Sequence, residues 1–376
     1  MTDTERSYML RAVELARQGG GNVNPNPRVG AVIVKDGRVI GEGYHQKFGQ
    51  LHAERNALAS CIEDPAGATI YVTLEPCCHY GKTPPCTEAI IEKKLARVVV
   101  GSRDPNPKVN GGGVRVLREA GIRVDTDFCR EECDALNPYF FKFIGQGRPY
   151  VTLKFAETLD GKIASVSGKS QWISGEASRR HTHMMRSENM AIMVGSGTVL
   201  ADNPMLTCRV DGGMSPVRVI CDSRLRTPVT ANVITTAAET GERLRQPRTV
   251  IATCVSDEER LAPYRDAGAA VLVLPEGNDG HLNLPALMEQ LGAMNIDSVI
   301  CEGGGQLNWS ALKSGIVDRV QAYVAPKIFG GSAAPGPVGG TGVDAPAQAW
   351  TLHNIHVTPI GTDFLLEGDV ETCSQE

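Results

Sequence analysis

The 376-residue chain has no apolar stretch approaching the ~20 residues that a membrane-spanning helix needs, so no transmembrane segment is expected. It has no Lys/Arg-rich run, and its formal charge is −5, which argues against a nucleic-acid partner. Met1 to Glu14 is mixed polar and acidic and lacks the apolar core of a secretory leader, so the expectation is no signal peptide and a cytoplasmic location. There is no internal repeat and no GxGxxG fingerprint. The eleven cysteines are odd in number and spread along a long chain, unlike the disulfide framework of a short secreted domain. Most of them sit in apolar or mixed segments and read as buried and reduced. Cys77, Cys78 and Cys86 differ, because they cluster around prolines beside His79.

What is present is an ordinary globular composition, 41% apolar and 22% charged, with length enough for two cores. Helical spacing from Thr4 to Gln18 ends at three glycines. Val29 to Lys35 and Arg38 to Tyr44 read as a hairpin turning at Asp36-Gly37. A helix over His52 to Ser60, a strand over Thr69 to Leu74, a helix begun by Pro84-Pro85 and a strand over Ala96 to Gly101 complete an α/β pattern. Turn formers near Asn137 to Pro149 mark a boundary, giving domains 1–146 and 147–376. Short apolar runs follow at Tyr150 to Phe155, Met190 to Val194, Val217 to Cys221, Thr249 to Thr253, Val271 to Leu274 and Ser298 to Cys301. Val320 to Val324 and Phe364 to Glu367 are expected to close this second α/β sheet with antiparallel strands, and Gly330 to Pro346 reads as a loop.

The strongest signal is His52-Ala53-Glu54 followed by Pro76-Cys77 and Cys86. A catalytic zinc takes three protein ligands and keeps one open position, and two thiolates with a neutral imidazole nearly cancel its charge. Glu54, two residues from His52, can hold a carboxylate beside that position without ligating. Zinc base deaminases carry such a His-x-Glu with a Pro-Cys-x-x-Cys. This chain departs from that spacing, with eight residues between its two cysteines. Three buried cysteines with a chance histidine would leave the order of six residue types unexplained. A structural zinc would need a fourth ligand from Cys78 or His79, whose adjacency to Cys77 is awkward, and would leave Glu54 without a purpose.

The run from Glu75 to Cys86 resembles the long zinc-loop signature of the bifunctional riboflavin-biosynthesis deaminase/reductase family. Pro25 to Val32 and Gly41 to His45 resemble that family's first hairpin. The resemblance implies a cytidine-deaminase-like α/β/α sandwich acting on a phosphoribosylated diaminopyrimidinone. His52, Cys77 and Cys86 would then hold Zn2+ and Glu54 would move protons. Asn26, His45, His79, Lys82 and Thr83 would contact base or ribose phosphate. Cys78 stands where serine is the commoner residue.

The second half is quieter. Glu302-Gly303-Gly304-Gly305-Gln306 follows an apolar strand and precedes a helix, where backbone N–H groups can approach a phosphate. Taken alone, such a turn is as readily a tight bend, and Arg186 and Arg209 as readily solvated surface charges. Arg148 to Lys154, Thr158 to Ala164, Ser170 to Ser174 and Val194 to Thr207 resemble the same family's reductase domain, which implies a dihydrofolate-reductase-like fold and NADPH. By that likeness Ser170, Arg186, Leu206, Arg209 and Glu302 contact substrate. Ala156, Trp172, Thr198, Asp202 and Ser223 line the cofactor, with Gly304, Gly305, Gln306, Leu307 and Asn308. The implied partners are a small phosphoribosylated pyrimidine and further copies of the chain as a homo-oligomer, with no nucleic acid and no membrane. The acid of the reduction stays open among Lys154, Glu302 and solvent. Two other readings stand: a tRNA or nucleoside deaminase fused to an unknown domain, and a zinc-containing binding module without catalysis.

Overall fold

The computed structural model describes residues 2–81, 83–239, 246–277 and 280–371. The chain divides into two compact units, Met1–Gly147 and Arg148–Glu376. The first contains α1 (Asp3–Arg17), β1 (Gly30–Lys35), β2 (Arg38–Tyr44), α2 (Ala53–Ala59), β3 (Thr69–Leu74), α3 (Cys86–Glu92), β4 (Arg97–Ser102), α4 (Gly112–Glu119), β5 (Arg123–Asp125), α5 (Arg130–Asp134) and α6 (Pro138–Gln146). Its sheet runs β2-β1-β3-β4-β5, with β1 antiparallel to both neighbours and β3, β4 and β5 parallel.

Side chains alternate across a strand, and this sheet is covered on both faces, so its strands read as continuous apolar runs. Ala31 and Ile33 meet Ala57 of α2 and Leu117 of α4 on one face. Val32 and Val34 meet Met9, Val13 and Ala16 of α1 on the other. Helix α1 starts on a capping box, Thr2 accepting from the Glu5 amide and the Glu5 carboxylate from the Thr2 amide. Gly43 lets α2 lie against β2, since a Cβ there would overlap the Ala57 amide. That close packing sets the height of His52, the residue just before α2.

The expected linker is mostly helix. Residues 138–146 form α6, whose Phe140, Phe141 and Ile144 pack into the first core. Its Pro138 takes the N1 place and Gly147 closes it with φ 68°, so the turn formers cap a helix instead of replacing it.

The second unit contains β6 (Tyr150–Thr158), α7 (Glu176–Glu188), β7 (Ala191–Gly195), α8 (Ser196–Asp202), β8 (Val217–Cys221), α9 (Asn232–Thr235), β9 (Thr249–Thr253), α10 (Glu258–Asp266), β10 (Ala270–Val273), α11 (Leu284–Ala293), β11 (Ser298–Cys301), α12 (Gly305–Lys313), β12 (Arg319–Ala325), β13 (Leu352–Ile360) and β14 (Asp363–Val370). The sheet order is β10-β9-β8-β7-β11-β6-β12-β14-β13, parallel from β10 through β12. β14 is antiparallel to β12 and to β13, as the sequence leads one to expect of the last strands. Ala191 and Met193 point to one core, Ile192 and Val194 to the other. No described helix is long and apolar enough to cross a membrane.

Candidate functional site

Two cavities gather most of the residues singled out above. In the first unit, His52 precedes α2, Cys77 follows β3 and Cys86 opens α3. His52 Nδ1 lies 3.5 Å from Cys77 Sγ and 3.5 Å from Cys86 Sγ, and the three donor atoms fall within 4.8 Å of one another. A tetrahedral zinc with ordinary bond lengths sets its nitrogen and sulfur ligands about 3.6 Å apart, so the spacing fits that ion. The Cys86 thiol, with His52, holds Cys77 well below the usual thiol range, while the bond to Cys77 and burial push Cys86 up. Two thiols and an imidazole this close together are a donor set for a borderline-soft divalent cation.

The supports come from the backbone. Arg55 on α2 donates to the carbonyls of Pro84 and Pro85, at 3.2 and 2.8 Å, which fixes the approach to Cys86. Glu75 is buried, and its carboxylate accepts from the amides of Gly111 and Val114, at 3.0 and 3.1 Å. It thereby ties the end of β3, just before Cys77, to the start of α4. Gly113 lets that helix touch the loop, for a methyl there would overlap the Pro76 carbonyl oxygen.

His52 and Cys77 open onto a cavity of about 270 Å³ that is also lined by Asn26, His45, Glu54, His79 and Thr83. Glu54 is 3% exposed, and burial raises its pKa. His45 sits between the Leu51 carbonyl, 3.0 Å from Nδ1, and the Asn26 amide nitrogen, 3.2 Å from Nε2. Burial lowers its pKa, so the ring is neutral at pH 7 and its hydrogen bonds assign the proton to Nδ1. The buried His79 Nδ1 has no hydrogen-bond partner among the described residues. Lys82 lies outside the described residues. Sequence reasoning missed Asp104 and Asn106 on this wall. They fall in a Pro-rich stretch that reads only as a turn. The Asp104 carboxylate accepts from the Asn106 amide at 2.8 Å, and burial pushes its pKa up to about 6.

In the second unit a larger, more open cavity of about 600 Å³ crosses the ends of the parallel strands. Ser170, Thr198, Asp202, Ser223, Glu302 and the turn Gly304 to Leu307 line it. Arg224, Arg226 and His281, which sequence reasoning did not single out, line it as well. Glu302 receives both arms of Arg186, at 2.8 and 2.9 Å, and Lys154 Nζ lies 3.9 Å away. Burial alone would raise the Glu302 pKa, but Arg186 and Lys154 overcome it and hold it at about 2. The third arm of Arg186 donates to the Thr207 carbonyl at 3.1 Å, so this guanidinium is already committed. Arg209 is exposed and forms no ion pair among the described residues.

Other expected contacts do not line this cavity. Trp172 is 60% exposed and stacks on Arg179, 4.6 Å from its ring centre. Leu206 is buried in the core with φ 53°, and Ala156 is an interior residue of β6 paired with Tyr323. Asn308 is fully buried and donates to the Pro337 carbonyl at 2.7 Å.

A family profile described as the cytidine and deoxycytidylate deaminase zinc-binding region matches residues 2–102. One described as the RibD C-terminal domain matches residues 149–366. The chain is 50% identical over 366 residues to the riboflavin biosynthesis protein RibD of Actinobacillus pleuropneumoniae, a match covering 97% of this chain and 95% of that one. It is 40% identical to the protein of the same name from Aquifex aeolicus, covering 97% of this chain and 98% of that one. Among solved structures, Acinetobacter baumannii RibD superposes with a TM-score of 0.86 at 36% identity, covering 98% and 99% of the two chains. A diaminohydroxyphosphoribosylaminopyrimidine deaminase/5-amino-6-(5-phosphoribosylamino)uracil reductase from Thermotoga maritima superposes with a TM-score of 0.79 at 37% identity, with the same coverage.

Proposed function

The chain belongs to the RibD family, the bifunctional deaminase/reductases of riboflavin biosynthesis, and on that premise we propose that it performs both steps with the residues of its two cavities. Residues 1–146 deaminate 2,5-diamino-6-(5-phosphoribosylamino)pyrimidin-4(3H)-one. Residues 147–376 then reduce the ribosyl group to ribityl, giving 5-amino-6-(5-phosphoribitylamino)uracil.

The observation that carries the first step is the donor triangle of His52, Cys77 and Cys86 beside a buried carboxyl. Zinc held there supplies a Lewis acid that makes water a nucleophile at neutral pH. Glu54 takes the proton from the attacking water and delivers it to the departing amino group, and its burial keeps that proton from solvent. Neutral His45, fixed by the Leu51 carbonyl, holds Asn26 against the pyrimidine. His79, whose Nδ1 has no partner among the described residues, donates to substrate.

NADPH bound in the second cavity would supply the hydride of the second step, and the backbone amides of the glycine turn at Gly303 to Gln306 would hold its pyrophosphate. Glu302 is ionised by two cations and has no proton to give, which leaves Lys154 and solvent, of which Lys154 is the group held in place beside Glu302. Burial lowers the Lys154 pKa and eases that donation. Arg186 positions Glu302, and Arg209 grips the substrate phosphate.

Incubating the protein with the diaminopyrimidinone and NADPH tests the reading. Ammonia should appear first and NADPH oxidation should follow. Zinc binding without ammonia release would instead mark a non-catalytic module.

A further inference from the structure

NADPH carries a phosphate on its adenosine ribose that NADH lacks, and no residue assigned so far meets it. The sheet order indicates where it must lie. Strands β8, β7, β11 and β6 are consecutive and parallel, so the segments that follow them form one row at about 4.8 Å per strand. Lys154 on β6 and Glu302 just after β11 mark the reacting end of that row. The glycine turn after β11 holds the pyrophosphate in the middle. The adenosine half therefore runs past β7 to the end of β8, about 10 Å from β11.

The segment after β8 brings Ser223, Arg224 and Arg226 to the cavity wall, with His281 beside them. Both arginines are exposed, and among the described residues neither has a carboxylate within ion-pair distance. Arg226 donates to Ser196 Oγ at 3.0 Å, which aims it across the end of β7. The Arg224 carbonyl accepts from Arg260 at 3.0 Å, which anchors its backbone. One guanidinium held by Ser196 and a second on an anchored backbone, both exposed at the cavity wall, match the oxygens of a phosphate dianion.

We propose that Arg224 and Arg226 form the recognition site for the 2′-phosphate of NADPH and make the chain select NADPH over NADH. The proposal rests on the reductase reading above. Isothermal titration calorimetry on the full chain tests it, with NADPH, NADH, 2′,5′-ADP and 5′-AMP as probes. The unaltered protein should bind NADPH more tightly than NADH, and 2′,5′-ADP more tightly than 5′-AMP. R224A/R226A should lose roughly ten- to a hundredfold for the two 2′-phosphorylated probes and nothing for the others. Unchanged binding of NADH and 5′-AMP by the variant shows that its second unit is folded. If the alanine pair does not fold, R224Q/R226Q carries the same comparison. A variant that keeps the preference for NADPH overturns the proposal. Binding of neither dinucleotide by the unaltered protein overturns the reductase reading itself.

Discussion

Glu54 is enclosed beside the thiols, so an amide of the same size there keeps the packing and loses the proton. Glu54→Gln should retain zinc, measured by atomic emission, and lose roughly 10²–10⁴-fold in ammonia release. Near-normal release would remove Glu54 from the chemistry. Cys86→Ser should lose zinc and deamination together, because two remaining protein ligands hold a catalytic zinc poorly. A variant with full metal and full rate would show that Cys86 is not a ligand. Arg186 and Arg209, neither of which lines the second cavity, behave differently from each other. Arg186 spends all its arms on Glu302 and Thr207 and was legible in sequence only as a possible phosphate grip. Arg209 has no such commitment. Arg209→Ala should raise KM for the phosphorylated substrate about ten- to a hundredfold, the worth of a charged hydrogen bond at about 1.5–3 kcal/mol. KM for NADPH should stay put, and a selective rise there would place Arg209 on the cofactor.

Zinc-loop geometry depends on α4 as much as on the ligands. Glu75 and Gly113 join that helix to the loop carrying Cys77. Gly113→Ala must push the two apart, at a cost of about 1–3 kcal/mol for forced overpacking. The expected result is a lower melting temperature of the first unit and faster loss of zinc to a chelator. Zinc retention equal to the unaltered protein would show that α4 does not buttress the loop. These supports were invisible in the sequence, because a Glu beside a proline and a run of glycines carry no spacing that links them. The inner strands were legible, since burial on both faces turns them into uninterrupted apolar runs. β13 was not, because its residues are almost all exposed and include His353, Asn354, His356 and Pro359. Helix α6 was hidden for the opposite reason. Its Pro138 and Gly147 ends look like linker residues until the aromatic side chains between them are seen in the core.

At the scale of the whole chain, two residues, Arg148 and Pro149, separate the α6 cap Gly147 from β6, yet each side has its own core. A fragment beginning at Arg148 should therefore fold and oxidise NADPH when given the deaminated substrate. An insoluble or inactive fragment would show that the second unit needs the first. The two halves also differ in how soon they can assemble while the chain is being made. β1 and β2 close on each other across a two-residue turn, and everything else in their sheet is complete once α6 has emerged. β6 is the first strand of its sheet to be synthesised and one of the innermost. Val151 waits for Val299, 148 residues downstream, and Phe155 for Ala322, 167 residues downstream, and pairings that distant form slowly. During translation β6 thus stays without its pairing strands for most of the second unit's synthesis, while every strand of the first unit's sheet has already emerged.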